Sequence, residues 1–400
     1  MKFESFSPNQ LESGALYSHA ETDFDTIRKQ EQQEMIDNPE TVGFNLTDDQ
    51  FVSPRVKSIL AEEAGLSEEL GTEEAHRQLS ETYGIPAEAI PGIVKEIAER
   101  ESSKVEHLSE MLDKLPDGVS FRVHPYAPES PFALEHCRQE GGECHVDDTA
   151  IAQMKQVYEK VRSGDKPGEL TVVMNAYTLE RGGNTPETPE DIDAYAEMCI
   201  AFLDQMDLGE SGGEGICLEL GNETNVDKQV KNRDGSQMFP GEGFADQADP
   251  AKYAHMYVQV ARKIKEKYPR VKVAIAGTAM FDDDYLGAVI DGVKAESSDD
   301  EHLIDKISFH PYRSTVSEGA PTFREHKCVD SPLSYEEQLM KMRMLAHVAG
   351  ADLDIGEVSF SKEHGKSVDM AELHKNTEHA RQNGLKTYTW PQTQILKYGF

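Results

Sequence analysis

The chain has 400 residues, and its 74 acidic against 40 basic side chains give a formal charge of −34. A field of that sign repels nucleic acid and anionic membrane, which argues against both as partners. The 38% of hydrophobic residues suffice for one large core, yet no apolar segment is long enough to span a bilayer, and Met1-Lys2-Phe3-Glu4-Ser5 lacks the basic start and apolar run of a signal peptide.

Residues 1–40 are polar, with a helix expected over Asp23–Ile36, and read as an N-terminal extension without clear chemistry. The first strand is expected at Thr41–Leu46. A heavily charged helical region follows from Ser53 to Leu115, broken near Gly71 and at Ile85-Pro86. Val119–Val123 reads as the second strand and runs into His124-Pro125-Tyr126. After a helix around Ala150–Val161 comes the third strand, Leu170–Asn175. Thr188-Pro189-Glu190-Asp191 combines a threonine cap, a proline at the first helical position and acids in the first turn, so a helix starts there.

The fourth strand begins at Ile216-Cys217-Leu218-Glu219-Leu220 and passes into Gly221-Asn222-Glu223-Thr224-Asn225. Asp249-Pro250 opens a helix whose Tyr253, Met256, Tyr257, Val260 and Ile264 share one face. Val271–Ala276, bounded by Gly277, is the fifth strand, and Tyr285–Val293 a shorter helix. Ile307–His310 is the sixth strand, followed by Pro311-Tyr312. Ser334 and Glu337 form a capping box for a helix to His347. Leu353–Glu357 is the seventh strand and, like the fourth, leads to a glutamate. A helix over Val368–Gln382 stops at Gly384, and Leu385–Trp390 is the eighth strand.

Eight strands alternating with helices predict an α/β fold, a closed (β/α)8 barrel occupying residues 41–400. Ten residues follow Trp390, so the eighth helix is expected to be short or missing.

Chemistry in such barrels collects where strands end. Arg122, Asn175, Asn222, Glu223, His310, Tyr312, Glu357 and Trp390 all stand at or just beyond the ends of expected strands. Each has an ordinary reading by itself: a surface cation, a turn former, a rim aromatic. Their coincidence at one end of six strands is harder to assign to chance. Two carboxylates facing each other suit glycoside cleavage, in which one acid protonates the leaving oxygen while the other, ionised, attacks the anomeric carbon. Strands four and seven lie on different sides of an eight-stranded barrel, so Glu223 and Glu357 can meet across its mouth. An arginine or tyrosine beside one carboxylate keeps it ionised. An asparagine can hold a sugar hydroxyl, and a tryptophan offers an apolar floor for a sugar face.

These residues resemble the clan A glycoside hydrolases, retaining (β/α)8 glycosidases marked by Asn-Glu at the end of strand four, here Asn222-Glu223, and a glutamate ending strand seven, here Glu357. Arg122, His310-Pro311-Tyr312 and Trp390 match the clan's strand-two arginine, strand-six His-x-Tyr and strand-eight tryptophan in type and order. Leu220–Asn225, Pro250–Ala254 and Tyr268-Pro269 are similar to the β-xylosidase, α-arabinofuranosidase and heparanase-like branches. The resemblance covers about residues 41 to 392 as scattered short motifs; it lacks the strand-three histidine and the accessory β-sandwich. It implies Glu223 as acid/base, Glu357 as nucleophile, an oligo- or polysaccharide substrate, and no cofactor or metal.

Two other functions remain in view. A metal-dependent sugar isomerase or epimerase would use Glu223, His310 and Glu357 as ligands, and a non-catalytic carbohydrate-binding barrel would keep the cleft without turnover. His136, Cys137, Cys144 and His145 crowd four zinc-type ligands into ten residues, but at a spacing unlike structural zinc sites, so incidental thiols are expected. The five cysteines, an odd and sparse set, point to free thiols and a cytoplasmic location. His124-Pro125-Tyr126 either lines the cleft or is a stiffened turn. Asp282-Asp283-Asp284 reads as a solvated helix start. The polar, Gly-rich insertion from Thr224 to Asp249, with Phe239 and Phe244, is placed to shape substrate subsites.

Overall fold

In a computed structural model of the chain, eight parallel strands close on themselves. They are β1 (Val42–Leu46), β2 (Ser120–Val123), β3 (Leu170–Met174), β4 (Ile216–Leu220), β5 (Lys272–Ala279), β6 (Lys306–His310), β7 (Asp352–Val358) and β8 (Lys386–Thr389). Each pairs with the next, and β8 returns to β1 through Val42–Thr387, Gly43–Tyr388 and Phe44–Thr389. The expected (β/α)8 barrel is therefore present and closed. The structure describes residues 29–30, 33–34, 36–46, 64, 67, 70, 72–83, 86–124, 131–132, 134–137, 143–176, 185–226, 248–298, 300–311, 313–314, 321–324, 327–330, 333–358, 360–362, 367–368 and 370–389. The expected eighth helix falls on residues 390–400, outside that set.

The strands alternate as a doubly covered sheet requires. On β4, Ile216, Leu218 and Leu220 are completely buried beneath the helices, each contributing about 1.5–3 kcal/mol. Glu219 of the same strand faces the barrel interior, where it meets Arg122. The longer helices are α1 (Thr72–Tyr83), α2 (Ile90–Lys114), α3 (Asp148–Arg162), α4 (Pro189–Met206), α5 (Pro250–Lys267), α6 (Asp283–Glu296), α7 (Tyr335–Ala349) and α8 (Met370–Gln382). Side-chain caps fix their starts: Thr188 for α4, Asp249 for α5, Asp282 for α6, and the Ser334–Glu337 box for α7. Among the described residues no helix is long and apolar enough to cross a membrane.

Three local readings change. Val368 belongs to a short strand, Ser367–Val368, and α8 starts at Met370. The antiparallel pair Pro321–Arg324 and Lys327–Asp330 has no counterpart in the expected elements. β5 also continues through Gly277 to Ala279 instead of stopping. It does so over a bulge: Ile275 pairs with Ile307 and Thr278 with Phe309, leaving two residues of β5 opposite one of β6. β7 carries the same irregularity, from Ile355–Thr387 to Val358–Thr389, with Gly356 and Glu357 inside it. An extra residue re-aims the side chains that follow.

The two ends of the barrel interior are both charged. At the N-terminal end, Lys306 is 3% exposed and lies between Glu169, which it contacts closely, and Asp354 Oδ2 at 2.6 Å. Lys272 reaches Glu169 at 3.3 Å and Asp352 at 3.1 Å, while Lys386 stands 3.7 Å from Glu169. Burial alone would raise Glu169, but Lys306, Lys386 and Lys272 outweigh it and hold the carboxyl well below its usual range. Burial would lower Lys306, yet Asp354 and Glu169 keep its pKa well above the ordinary lysine value.

Candidate active site

At the C-terminal end of the strands the interior opens on Arg122, which is 0% exposed. β2 places it beside Asn45 of β1. Its guanidinium forks onto Glu219, with Nε to Oε2 at 2.7 Å and Nη2 to Oε1 at 2.9 Å, the bidentate geometry that suits a planar cation. Nη1 donates to Glu357 Oε1 at 2.8 Å and to Asn45 Oδ1 at 3.3 Å, and Nη2 also donates to Asn222 Oδ1 at 3.0 Å. Asn45 Nδ2 in turn donates to the Gly356 carbonyl at 3.0 Å, tying β1 to the β7 bulge.

Glu357 is completely buried. Burial would raise its carboxyl, but His310, the His124 ring and Arg122 prevail and hold it well below the usual carboxylate range, hence ionised. Arg122 is the one of these neighbours that is always charged. His124 Nδ1 lies 3.1 Å from Glu357 Oε1, and burial pushes its pKa down to about 4, leaving a neutral imidazole near pH 7. The His-Pro-Tyr run after β2 therefore does bring its histidine to the cleft.

Glu223 stands opposite, beyond β4. Gly221 and Glu223 have φ of 93° and 48°, both in the left-handed region, which for a glutamate costs about 1–2 kcal/mol. The turn is held from several sides. Glu223 N–H donates to the Gly277 carbonyl at 2.8 Å, and the Glu223 carbonyl accepts from Val226 N–H at 2.9 Å. Asn225 accepts from Ala279 N–H at 2.8 Å and donates to the Ala279 carbonyl at 3.1 Å and to Asp282 Oδ2 at 3.0 Å. Tyr285 Oη meets Thr224 Oγ1 at 3.2 Å. Asp282 is therefore both the cap of α6 and part of this clamp. The Glu223 side chain, 22% exposed, has Oε1 2.9 Å from His310 Nδ1. The His310 ring lies flat enough against Gly277 that a Cβ there would sit 2.2 Å from Nε2, so only glycine admits it.

Ligand atoms of Glu223, His310 and Glu357 all lie within 4.8 Å of one another. That is the group of three among the described residues with the chemistry to hold a metal ion. Among the described residues, Cys137, Cys144 and His145 form no such group. Cys137 is buried with its thiol toward the Pro131 carbonyl, Cys144 Sγ is 3.9 Å from the Ala194 carbonyl, and the exposed His145 pairs with Asp148. Cys137, Cys144, Cys199 and Cys217 are free thiols.

Of the residues singled out from the sequence, Arg122, Asn222 and Glu357 share one set of hydrogen bonds, and the hydrogen-bonded pair His310–Glu223 stands against it, with His310 Nδ1 3.8 Å from Glu357 Oε1. Asn175 follows β3 at the same end of the barrel, half-buried. Tyr312, Trp390 and the insertion residues Phe239 and Phe244 lie outside the described residues. Sequence reasoning missed Asn45 and Glu219. Glu219 had a signal: a carboxylate in the middle of a wholly apolar strand needs a buried cation.

No protein-family model matches the chain, and no curated protein does. Among solved structures, the GH39 enzyme from Xanthomonas axonopodis pv. citri is 16% identical with a TM-score of 0.40, over 81% of this chain and 51% of its own. A monomeric beta-xylosidase from Caulobacter crescentus CB15 is 17% identical with a TM-score of 0.42, over 81% and 53%. A beta-mannanase from the blue mussel Mytilus edulis is 15% identical with a TM-score of 0.42, over 75% and 83%. The chain thus spans about half the length of the first two.

Proposed function

We propose that the chain is a retaining glycoside hydrolase acting on an oligo- or polysaccharide, with Glu357 as nucleophile and Glu223 as acid/base. One observation carries the reading: two carboxylates from β4 and β7 meet across the mouth, their oxygens within 4.8 Å, the buried one held ionised beside Arg122 and the half-buried one open to the cleft. That spacing suits the roughly 5–5.5 Å carboxyl separation of retaining enzymes and leaves no room for the water of inverting ones, whose carboxyls stand about 6.5–9.5 Å apart.

Glu357 attacks the anomeric carbon as the glycosidic C–O bond breaks and Glu223 gives its proton to the leaving oxygen. Water then attacks the glycosyl ester, Glu223 takes the proton back, and Glu357 leaves as a carboxylate. Glu219 and Glu357 share one guanidinium, and Glu223 Oε1 stands beside them, 2.9 Å from His310 Nδ1. Asn222, oriented by Arg122, is placed to hold a sugar hydroxyl.

The test is labelling with a panel of 2-deoxy-2-fluoroglycosyl fluorides followed by peptide mapping. Label on the Glu357 peptide is expected, and azide should restore turnover to Glu223→Ala with a glycosyl azide product. Hydrolysis with inversion at the anomeric centre rules the mechanism out.

The metal-dependent isomerase reading has a specific observation too, the Glu223–His310–Glu357 group. Against it, a cation there would face Arg122 Nη1, 2.8 Å from the same Glu357 oxygen. Loss of activity in EDTA that returns with a divalent cation would favour it.

A further inference from the structure

We infer that Glu219 is the standing counter-ion of Arg122 through the reaction cycle, a positioning residue that keeps the guanidinium from becoming an unpaired buried cation when Glu357 loses its charge. The inference rests on the double-displacement reading above.

The chemistry requires such a group. In the resting site Arg122 faces two ionised carboxylates, Glu219 and Glu357. Once Glu357 becomes a glycosyl ester its negative charge is gone. Arg122 cannot shed its proton, and its side chain, 1% exposed, cannot reach water. A buried cation without a partner is among the costliest arrangements a protein interior can hold. Without a second acid, that cost would fall on the covalent intermediate and on the transition states on either side of it.

Glu219 is built for the role. Its side chain is 1% exposed and three hydrogen bonds fill it: two from the Arg122 fork and one from Gly277 N–H to Oε1 at 2.9 Å. The Arg122 charge, its hydrogen bonds and the Gly277 amide override burial and hold Glu219 ionised. It has no open face toward the cleft, so it can neither attack nor donate a proton. Through Gly277, whose carbonyl accepts from Glu223 N–H at 2.8 Å, it also fixes the β5 bulge on which the opposing glutamate rests. Glu357 is thereby free to spend its charge on the substrate.

The experiment is Glu219→Gln, compared with wild type on whichever 2,4-dinitrophenyl glycoside of a panel the wild type turns over fastest. Glycosylation, read as kcat/KM, is expected to fall on the order of 100-fold. Deglycosylation should change less than about tenfold, because the destabilised ester has less far to climb, so any pre-steady-state burst of dinitrophenolate disappears. A merely structural role would slow both steps alike. Equal loss in both, or an unchanged kcat/KM, overturns the inference. Should Glu219→Gln fail to fold, Arg122→Met/Glu219→Gln decides: removing the cation together with its partner should restore a cooperative melt, and a double variant no more stable than the single one also overturns it. If wild type carries no fluoroglycosyl label on Glu357, the double-displacement reading fails first, whatever Glu219 does.

Discussion

The two ends of one barrel hold buried charge to opposite purposes. At the N-terminal end the buried Lys306 lies directly between the buried Glu169 and Asp354, Lys386 and the partly exposed Lys272 stand by Glu169, and Lys272 also pairs with the exposed Asp352. At the C-terminal end Arg122 alone serves Glu219 and Glu357, the latter by way of a single Nη1 contact, while Glu223 faces His310 and His124 adds no charge near neutral pH. The same strands supply both sets. A balanced cluster closes a barrel and does nothing else. An unbalanced one stores the charge that an incoming substrate, with its developing positive centre, can use. Stability and function are therefore separable along the strand axis, by which end of the strand a side chain occupies.

The strongest way to break that comparison is to neutralise one group at each end. Glu357→Gln should lose activity on the order of 10⁴-fold or more, while the melting temperature holds or rises, because a surplus negative charge has gone and Arg122 keeps Glu219. Activity assays beside thermal melts check both halves; a large fall in melting temperature would put the mouth in the same class as the floor. Lys306→Met should do the reverse. It leaves Glu169 and Asp354 buried without their shared cation, and about 3–5 kcal/mol of stability goes, with kcat per folded molecule unchanged. Urea unfolding with active-site titration reads the two quantities separately.

Acid sharpens the comparison, since the two ends respond in different windows. His124 titrates near 4 when folded and near 6.5 when unfolded, so the unfolded chain takes up the proton first as pH falls. Its contribution is present above pH 6.5 and lost progressively between 6.5 and 4, about 3 kcal/mol in all. Glu169 has its pKa depressed by the lysines, so its contribution is present above the ordinary carboxylate range and is lost only at lower pH. Stability measured from pH 7 to 3 should therefore decline in two stages, and His124→Gln should flatten the first alone. A first stage that survives the substitution contradicts the assignment.

How much of this the sequence could carry follows from the same division. The strand alternation was legible because both faces of a parallel barrel are covered, which makes runs such as Ile216–Leu220 apolar at every position but Glu219. Glu223 and Glu357 were legible because they end such runs. Asn45 was not, because an asparagine inside a first strand looks like any other, and its partner Gly356 is 311 residues away. The bulges at Gly277 and Glu357 could not be foreseen either. An extra residue in a ladder is visible only once the partner strand is known, and it is those bulges that turn Glu357 and the Gly277 amide toward the arginine system. The floor cluster was missed for a plainer reason: lysines and aspartates at strand starts read as solvated.

The smallest predicted effect tests how the mouth keeps its shape with so few paired charges. Glu223 holds an unfavourable left-handed φ of 48°, and no charge contact fixes its backbone. The work falls to neutral hydrogen bonds, above all Asn225, which stitches the turn after β4 to Ala279 of β5 and to Asp282 at the start of α6. Asn225→Ala removes three of them and leaves the Ala279 amide buried without that acceptor. The cost in stability should be about 1–3 kcal/mol. With the clamp open, Glu223 can relax from its strained conformation and leave His310, so kcat should fall about tenfold with KM little changed, the signature of a misplaced proton donor. A substrate whose leaving group needs no protonation, such as a 2,4-dinitrophenyl glycoside, should feel the substitution least. If it is slowed as much as a poor leaving group, Asn225 supports the barrel in general and not the acid.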